Sequence, residues 1–320
     1  MKPKFYYTFF IACFFVLNGF AQKQNVYFLK NDGRNVPVKD SADFIRIVRE
    51  PDSGTVLYNV LEYYLNGNTK MVGKSSTIYP ITLEGESISY YQNKKRKQVS
   101  KYEIGELTAD TYDYYPNGNL YRVIAYVNDN YKIWFDRQTV KAVFDSLGNE
   151  MVKNGNGHYQ VFDKNYKRIE EEGGVKDGRR DGLWKGSIVN KLTYIEEYAD
   201  GKFINGTSTD ENGHTINYMV KEALPTFRGG ETGFGDYLSR SIRYPMPARK
   251  NRIQGRVIVS FAVEKDGQLS DFKILRDIGG GCGEEAVRVL QQSPKWNPGI
   301  QHGVPVRVAY TMPINFTLGR

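Results

Sequence analysis

Arg256-Val257-Ile258-Val259-Ser260-Phe261-Ala262-Val263-Glu264, followed by Lys265-Asp266-Gly267-Gln268, is the stretch that decides the fold of the tail. Val257, Val259, Phe261 and Val263 fall on one face at period two, while Arg256, Ser260 and Glu264 fall on the other, the pattern of a half-buried strand. Asp266-Gly267 predicts a two-residue type I′ hairpin turn, because both central positions need positive φ, which Asp tolerates and Gly adopts freely. Pairing Lys265 with Gln268 sets Phe272 opposite Phe261 and Ile274 opposite Val259, so both strands turn their apolar residues to one face. A slip of one residue would turn them all to solvent.

Downstream, Gly279-Gly280-Gly281-Cys282-Gly283 leads into Glu284-Glu285-Ala286-Val287-Arg288-Val289-Leu290-Gln291-Gln292-Ser293, which stops at Pro294. The two acids suit a helix N-terminus, Ala286, Val289 and Leu290 form one apolar face, and proline ends the run, so a short helix covers the hairpin. The last segment alternates again, with Val306, Val308, Tyr310, Met312, Ile314, Phe316 and Leu318 on one side and Pro305, Arg307, Thr311, Pro313 and Asn315 on the other. A proline has no N–H for a central ladder, so Pro313 predicts an edge strand or a bulge. Upstream, Leu224-Pro225-Thr226-Phe227-Arg228-Gly229-Gly230-Glu231 breaks the preceding rhythm, and Phe234, Tyr237, Leu238 and Ile242 mark one side of a short helix. A module over residues 225–320 follows, long enough for a modest core of its own.

The order Tyr244-Pro245, alternating strand, Asp266-Gly267 turn, second strand, Gly-rich helix entry, Pro294-Lys295-Trp296-Asn297-Pro298-Gly299, and a last strand with Pro313 resembles the C-terminal domain of the TonB family. The resemblance implies an α+β domain, an antiparallel three-stranded sheet with short helices, that works in the periplasm of Gram-negative envelopes. It further implies binding to other proteins through backbone strand pairing, without catalysis. Departures matter too: the leader holds no His and no Pro-rich spacer crosses the middle of the chain, so a link to TonB-dependent transport and, as the alternative, a structural repeat scaffold of the periplasm or outer membrane without energy transduction both stay open.

Residues 22–222 read as a β-rich hairpin domain dense in Tyr and in Asn-Gly or Asp-Gly turns. Glu62-Tyr63-Tyr64-Leu65-Asn66-Gly67-Asn68 and Asp113-Tyr114-Tyr115-Pro116-Asn117-Gly118-Asn119 are nearly superimposable, with weaker echoes at 144–149, 197–202 and 209–214. Stacked hairpins of this kind bury their aromatic faces only against neighbours. For the Tyr pairs the expectation is packing between hairpins, with ligand stacking the alternative. The region is similar to MORN-type repeats over roughly 55–220, most clearly where Asp177-Gly178 and Asp181-Gly182-Leu183-Trp184 follow Glu172-Gly173-Gly174. Such repeats imply a scaffold.

The front end has a basic start at Met1-Lys2-Pro3-Lys4, an apolar run from Phe5 to Phe20 and small residues at Gly19-Phe20-Ala21, the layout of a signal peptide over residues 1–21 cleaved after Ala21. The alternative is an uncleaved inner-membrane anchor, since the run approaches the roughly 17 to 25 residues that span a bilayer. Phe10-Ile11-Ala12 before Cys13 is a poor lipobox. Of the net charge of +8, Lys2 and Lys4 supply two, leaving +6 for the mature chain, spread thinly. The dense run Lys94-Lys95-Arg96-Lys97 beside Tyr90-Tyr91 reads as a solvated turn. Its alternative partner is an anionic membrane surface, not nucleic acid, which an exported protein does not meet.

Loss of the leader leaves Cys282 alone, expected to pack in a tight Gly loop, with no disulfide framework and no cysteine metal cluster. His158, His214 and His302 lie far apart beside Gly or Asn and are expected at surface turns, without zinc spacing or a nucleophile motif. No enzyme activity, cofactor or metal is therefore expected. The function expected is addition of an extended segment, from an outer-membrane receptor or another envelope protein, to the edge of the strand from Val306 to Phe316. Arg307, Ala309, Thr311 and Asn315 are the expected contact residues, with Pro313 limiting the pairing; homodimerisation through the same edge is the alternative.

Overall fold

The structure, a computed structural model, describes residues 23–126, 138–188 and 192–318. The signal-peptide reading of residues 1–21 lies outside the described residues. No helix among the described residues is long and apolar enough to cross a membrane. The chain divides into two compact units, Met1–Gln138 with Phe144–Asn149 and Thr139–Val143 with Glu150–Arg320. The division falls within the hairpin region, so the hairpins from Glu150 onward share a unit with the tail, although the composition changes at residues 222–225.

In the first unit the Gln24–Leu29 strand pairs with Phe44–Arg49, and an antiparallel meander follows through Tyr58–Tyr64, Thr69–Ser75, Leu83–Tyr90, Arg96–Glu103, Glu106–Tyr114 and Leu120–Tyr126. One turn recurs. The Tyr64 N–H donates to Asn68 O at 2.9 Å and the Gly67 N–H to Tyr64 O at 2.9 Å, a three-residue turn with its third position at positive φ. The same bonds close Tyr91–Lys95 and Tyr115–Asn119. The first tyrosine of each turn reaches the next hairpin: Tyr64 Oη donates to Tyr90 O at 2.7 Å and Tyr91 Oη to Tyr114 O at 2.6 Å. Asn68 Nδ2 and Asn93 Nδ2 repeat this with Gln92 O and Pro116 O. The tyrosines thus tie neighbouring hairpins together, and the run from Tyr90 to Lys97 is itself a copy of the repeat, with Lys94 at the positive-φ position held elsewhere by glycine.

The second unit continues the pattern from Glu150–Lys153 to Thr215–Tyr218. Asp177-Gly178 and Asp200-Gly201 are two-residue turns with both residues at positive φ, whereas Asp181-Gly182 lies inside the Arg179–Ile188 strand at a bulge. Trp184, Tyr194 and Tyr218 are buried, and each stands directly opposite a glycine, Gly173, Gly186 and Gly206. The missing side chain lets each ring lie across the neighbouring strand; a Cβ on Gly206 would sit 2.4 Å from Tyr218 Cζ.

The tail has three helices, α1 (Gly230–Ser241), α2 (Met246–Lys250) and α3 (Cys282–Gln291), and a three-stranded antiparallel sheet in the order Leu269–Arg276, Gly255–Val263, Val308–Phe316. Helix α2, started by Pro245, was not legible in the apolar spacing. Val257, Val259, Phe261, Cys282, Ala286, Leu290, Trp296, Ile314 and Phe316 form the core. Arg288 holds α3 to α1 by donating to Ser241 O at 2.8 Å and to Glu285, which accepts the Arg243 N–H.

The hairpin turn differs from the two-residue expectation. The Glu264 N–H donates to Gln268 O at 2.8 Å and the Gly267 N–H to Glu264 O at 2.9 Å, so the loop is Lys265-Asp266-Gly267, with Gly267 at φ +83. Register then starts one residue out, Val263 facing Leu269, and a bulge near Asp271, at φ 52, restores it so that Val259 faces Ile274 as expected. Gly267 is also required sterically, because its own Cβ would lie 2.0 Å from Trp296 O. A second correction concerns the last strand. Val304–Val306 is a separate strand that folds back on Gly299–Gln301, with Glu222–Ala223 completing a second, small sheet. Gly206→Ala forces a Cβ into the Tyr218 ring and should lower stability by about 1–3 kcal/mol, measured as a fall in urea midpoint at constant m.

Candidate functional site

The hairpin Gly299–Val306 turns through His302-Gly303, both at positive φ, and drives the imidazole into the second unit's hairpin sheet. Alternation along Leu192–Ala199 puts Tyr194, Glu196 and Tyr198 on that sheet's buried face. The His302 ring stacks on Tyr194 at 3.8 Å between centroids, its Nδ1 lies 2.7 Å from Glu196 Oε1, and its backbone oxygen accepts from Ser208 Oγ at 2.7 Å. Tyr218 Oη also donates to Glu196 Oε1 at 2.8 Å, Tyr198 Oη to Oε2 at 2.7 Å, and Lys221 Nζ stands 3.1 Å from Oε2.

Glu196 is fully buried. Burial alone would raise its pKa, but hydrogen bonds from His302, Tyr198 and Tyr218 and the charge of Lys221 outweigh it and bring it from 4.5 to about 2. An ionised carboxylate only accepts, so His302 Nδ1 carries the proton in this contact. Burial raises the Tyr198 and Tyr218 pKa values, so both stay protonated donors. Each oxygen of the acid has two partners, the condition under which a buried charge is tolerated.

His302 is therefore not at the surface as its turn-like sequence suggested: it sits in a turn, but a buried one. His158 is not in a turn at all; it lies exposed within the Asn156–Phe162 strand, with Nε2 3.0 Å from Glu172 Oε2. His214 is exposed and closes the Asp210 turn. Cys282 is buried in the tail core, and burial, then the charges of Asp277 and Glu284, push its thiol pKa up, the opposite of a reactive cysteine.

Beyond this hairpin the chain enters Val308–Phe316, which among the described residues pairs only with Gly255–Val263 and so lies at the edge of its sheet. N–H and C=O of one residue in an antiparallel strand point the same way and alternate along the chain. Because the Glu264 N–H faces Gln268, Ala262 and Ser260 face the Leu269–Arg276 side, and Val263, Phe261, Val259 and Val257 face the last strand. Their partners Val308, Tyr310, Met312 and Ile314 are consumed there. Ala309, Thr311, Pro313 and Asn315 turn their backbone outward. In the preceding hairpin Gln301 and Val304 close the two-residue turn, so Pro305 also faces out. Val304–Val306 is likewise an edge. Both prolines thus stand where the missing N–H faces away from the native ladder, and between them Ala309 and Thr311 offer outward N–H groups.

The side chains of Ala309, Thr311, Pro313 and Asn315 are exposed. Asn315 Oδ1 accepts from Arg256 Nε at 3.1 Å. Arg307, the other expected contact residue, is exposed and paired within the chain: its Nε donates to Glu264 at 2.8 Å and its Nη2 to Asp271. Asp271 stands at the bulge, at φ 52. Sequence reading missed His302 and Glu196, 106 residues apart; the one available signal was an acid between two tyrosines on the buried phase of a strand.

Residues 240–318 match the model of the family described as Gram-negative bacterial TonB protein C-terminal. The match begins in α1 and takes in α2, α3 and the whole three-stranded sheet. No curated protein and no solved structure matches the chain. The match covers the tail alone, and the domain it identifies there is the one whose order of elements the tail resembles.

Because Glu196 is ionised in the fold well below its ordinary pKa, it stabilises the protein above pH 4.5, and this contribution is lost as pH falls toward 2. The loss should be roughly 3 kcal/mol, and Glu196→Gln should lower the urea midpoint at neutral pH while flattening its acid dependence. Cys282 should resist alkylation in the native protein and react at once in denaturant, read by mass spectrometry.

Proposed function

We propose that this is an exported envelope protein whose TonB-type tail binds an extended segment of an outer-membrane receptor or another envelope protein by strand addition, in the service of TonB-linked transport. The observation that carries the reading is the open edge from Val304 to Phe316, where prolines occur only at outward positions and leave Ala309 and Thr311 as donors between them. Such an edge binds through main-chain hydrogen bonds and selects through alternate side chains. The prolines keep the pairing short, which protects the edge from indiscriminate association.

The hairpin region, similar to MORN-type repeats, serves as a scaffold that carries the tail. Its tyrosine and asparagine bonds from hairpin to hairpin support this role. A purely structural part in the periplasm or outer membrane, without transport, is the second reading, favoured by the lack of a His in the leader.

Ala309→Pro deletes an outward N–H and leaves the native ladder intact, whereas Tyr310→Pro deletes an inward one. With a photocrosslinker at Thr311 of the full chain in the envelope, Ala309→Pro should abolish crosslinks at an unchanged melting temperature, and Tyr310→Pro should lower the melting temperature. Crosslinks that survive Ala309→Pro in a folded protein rule out strand addition.

A further inference from the structure

The open edge does not stand free at its beginning. Val304 to Ala309 form one wall of a groove of about 800 Å³ whose other wall comes from the hairpin sheet, through Ile188, Leu192 and Ile216. The origin of that wall is a matter of register. Tyr194, Ser208 and Ile216 are directly opposed across three strands, and Leu192 opposes Asp210 one step further along the same face. This is the face on which His302 stacks and Glu196 is buried. The Gly299–Val306 ribbon covers its Tyr194 end, and beyond the ribbon the face continues uncovered, with Ile216 44% exposed. Ile188 directly opposes Leu192, so the sheet wall is apolar at Ile188, Leu192 and Ile216 together, and grouped apolar side chains left open mark an interaction surface.

We propose that the hairpin sheet supplies the second half of the partner site: a polypeptide strand that pairs with Ala309 and Thr311 lays its alternate apolar side chains against Leu192 and Ile216. This rests on strand addition at the edge and assigns its selectivity to residues outside the TonB-type domain. The occupant is an extended polypeptide on two grounds. The tail wall presents outward backbone groups at alternate residues, which an extended backbone complements in register. The uncovered face is also continuous with one that already holds the Gly299–Val306 hairpin, whose His302 turn is bonded through its imidazole to Glu196 and through its backbone oxygen to Ser208. Charge sets the direction. Lys265 lies on the tail wall and Glu211 on the sheet wall, and neither forms an ion pair among the described residues. The fitting segment therefore alternates apolar residues, carrying an acid toward Lys265 and a base toward Glu211.

The test uses peptides selected from a random display library on the full chain. Selected peptides should share apolar residues at every second position, and their binding, measured by fluorescence anisotropy, should weaken about tenfold or more with Ile216→Asp. Ile216→Ala should weaken it less, and Lys265→Glu should be rescued by reversing the peptide's acid. Circular dichroism melts establish that the variants fold, and Leu192→Asp stands in for Ile216→Asp if the latter does not. If Ala309→Pro abolishes binding and the Ile216 and Leu192 variants do not change it, the edge reading stands and the second wall is wrong. If Ala309→Pro leaves binding unchanged, the edge reading itself fails. Absence of any enriched peptide, or a concentration-dependent dimer in sedimentation that displaces the peptides, overturns the proposal, the latter by placing a second copy in the groove.

Discussion

A single buried carboxylate organises the second unit. Glu196 accepts from His302, Tyr198 and Tyr218 and pairs with Lys221, which gathers three segments of the chain around two oxygen atoms. A buried charge without such partners would cost several kcal/mol, so every one of these groups is required for the others to be tolerated. The ring stack of His302 on Tyr194 and the bond from Ser208 to the His302 carbonyl fix the position and direction of the turn. Everything downstream inherits that placement, because only Arg307 separates the clamped hairpin from the edge strand.

The edge strand carries its own limits on pairing. Arg307 is held by Glu264 and Asp271, Pro305 and Pro313 remove outward donors, and the remaining outward N–H groups occupy a short window. Edge strands are ordinarily hazards, and charge and proline are the usual means of blunting them. Here the same devices define a length. The hairpin region meets a related demand by a different route, in which tyrosine hydroxyls and asparagine amides satisfy the carbonyls at neighbouring strand ends.

Local signals carried much of the tail. Val259 faces Ile274, and α3 begins at Cys282 and ends before Pro294, since period-two alternation, helix dipole and proline act over a few residues. The turn at Asp266-Gly267 was misjudged because Asp-Gly serves both two-residue and three-residue loops, and the approach of Trp296 to Gly267 was not visible in the spacing. The break between Val306 and Val308 was missed for a similar reason: an unbroken alternation conceals a change of partner. Tyr90 to Lys97 escaped recognition as a repeat because Lys94 holds the place of glycine.

By itself, the amino-acid order determined the alternating faces of the tail strands, the helix that ends before Pro294 and where proline forbids a central position, because these follow from contacts between near neighbours and from backbone stereochemistry. Only the tertiary structure decided that His302 is buried on Glu196, that Arg307 is consumed by Asp271, and that the hairpin sheet walls the groove beside Ala309. Those outcomes depend on residues brought together across long stretches of chain, where the cost of burying a charge or a polar side chain is set by partners that no local pattern encodes.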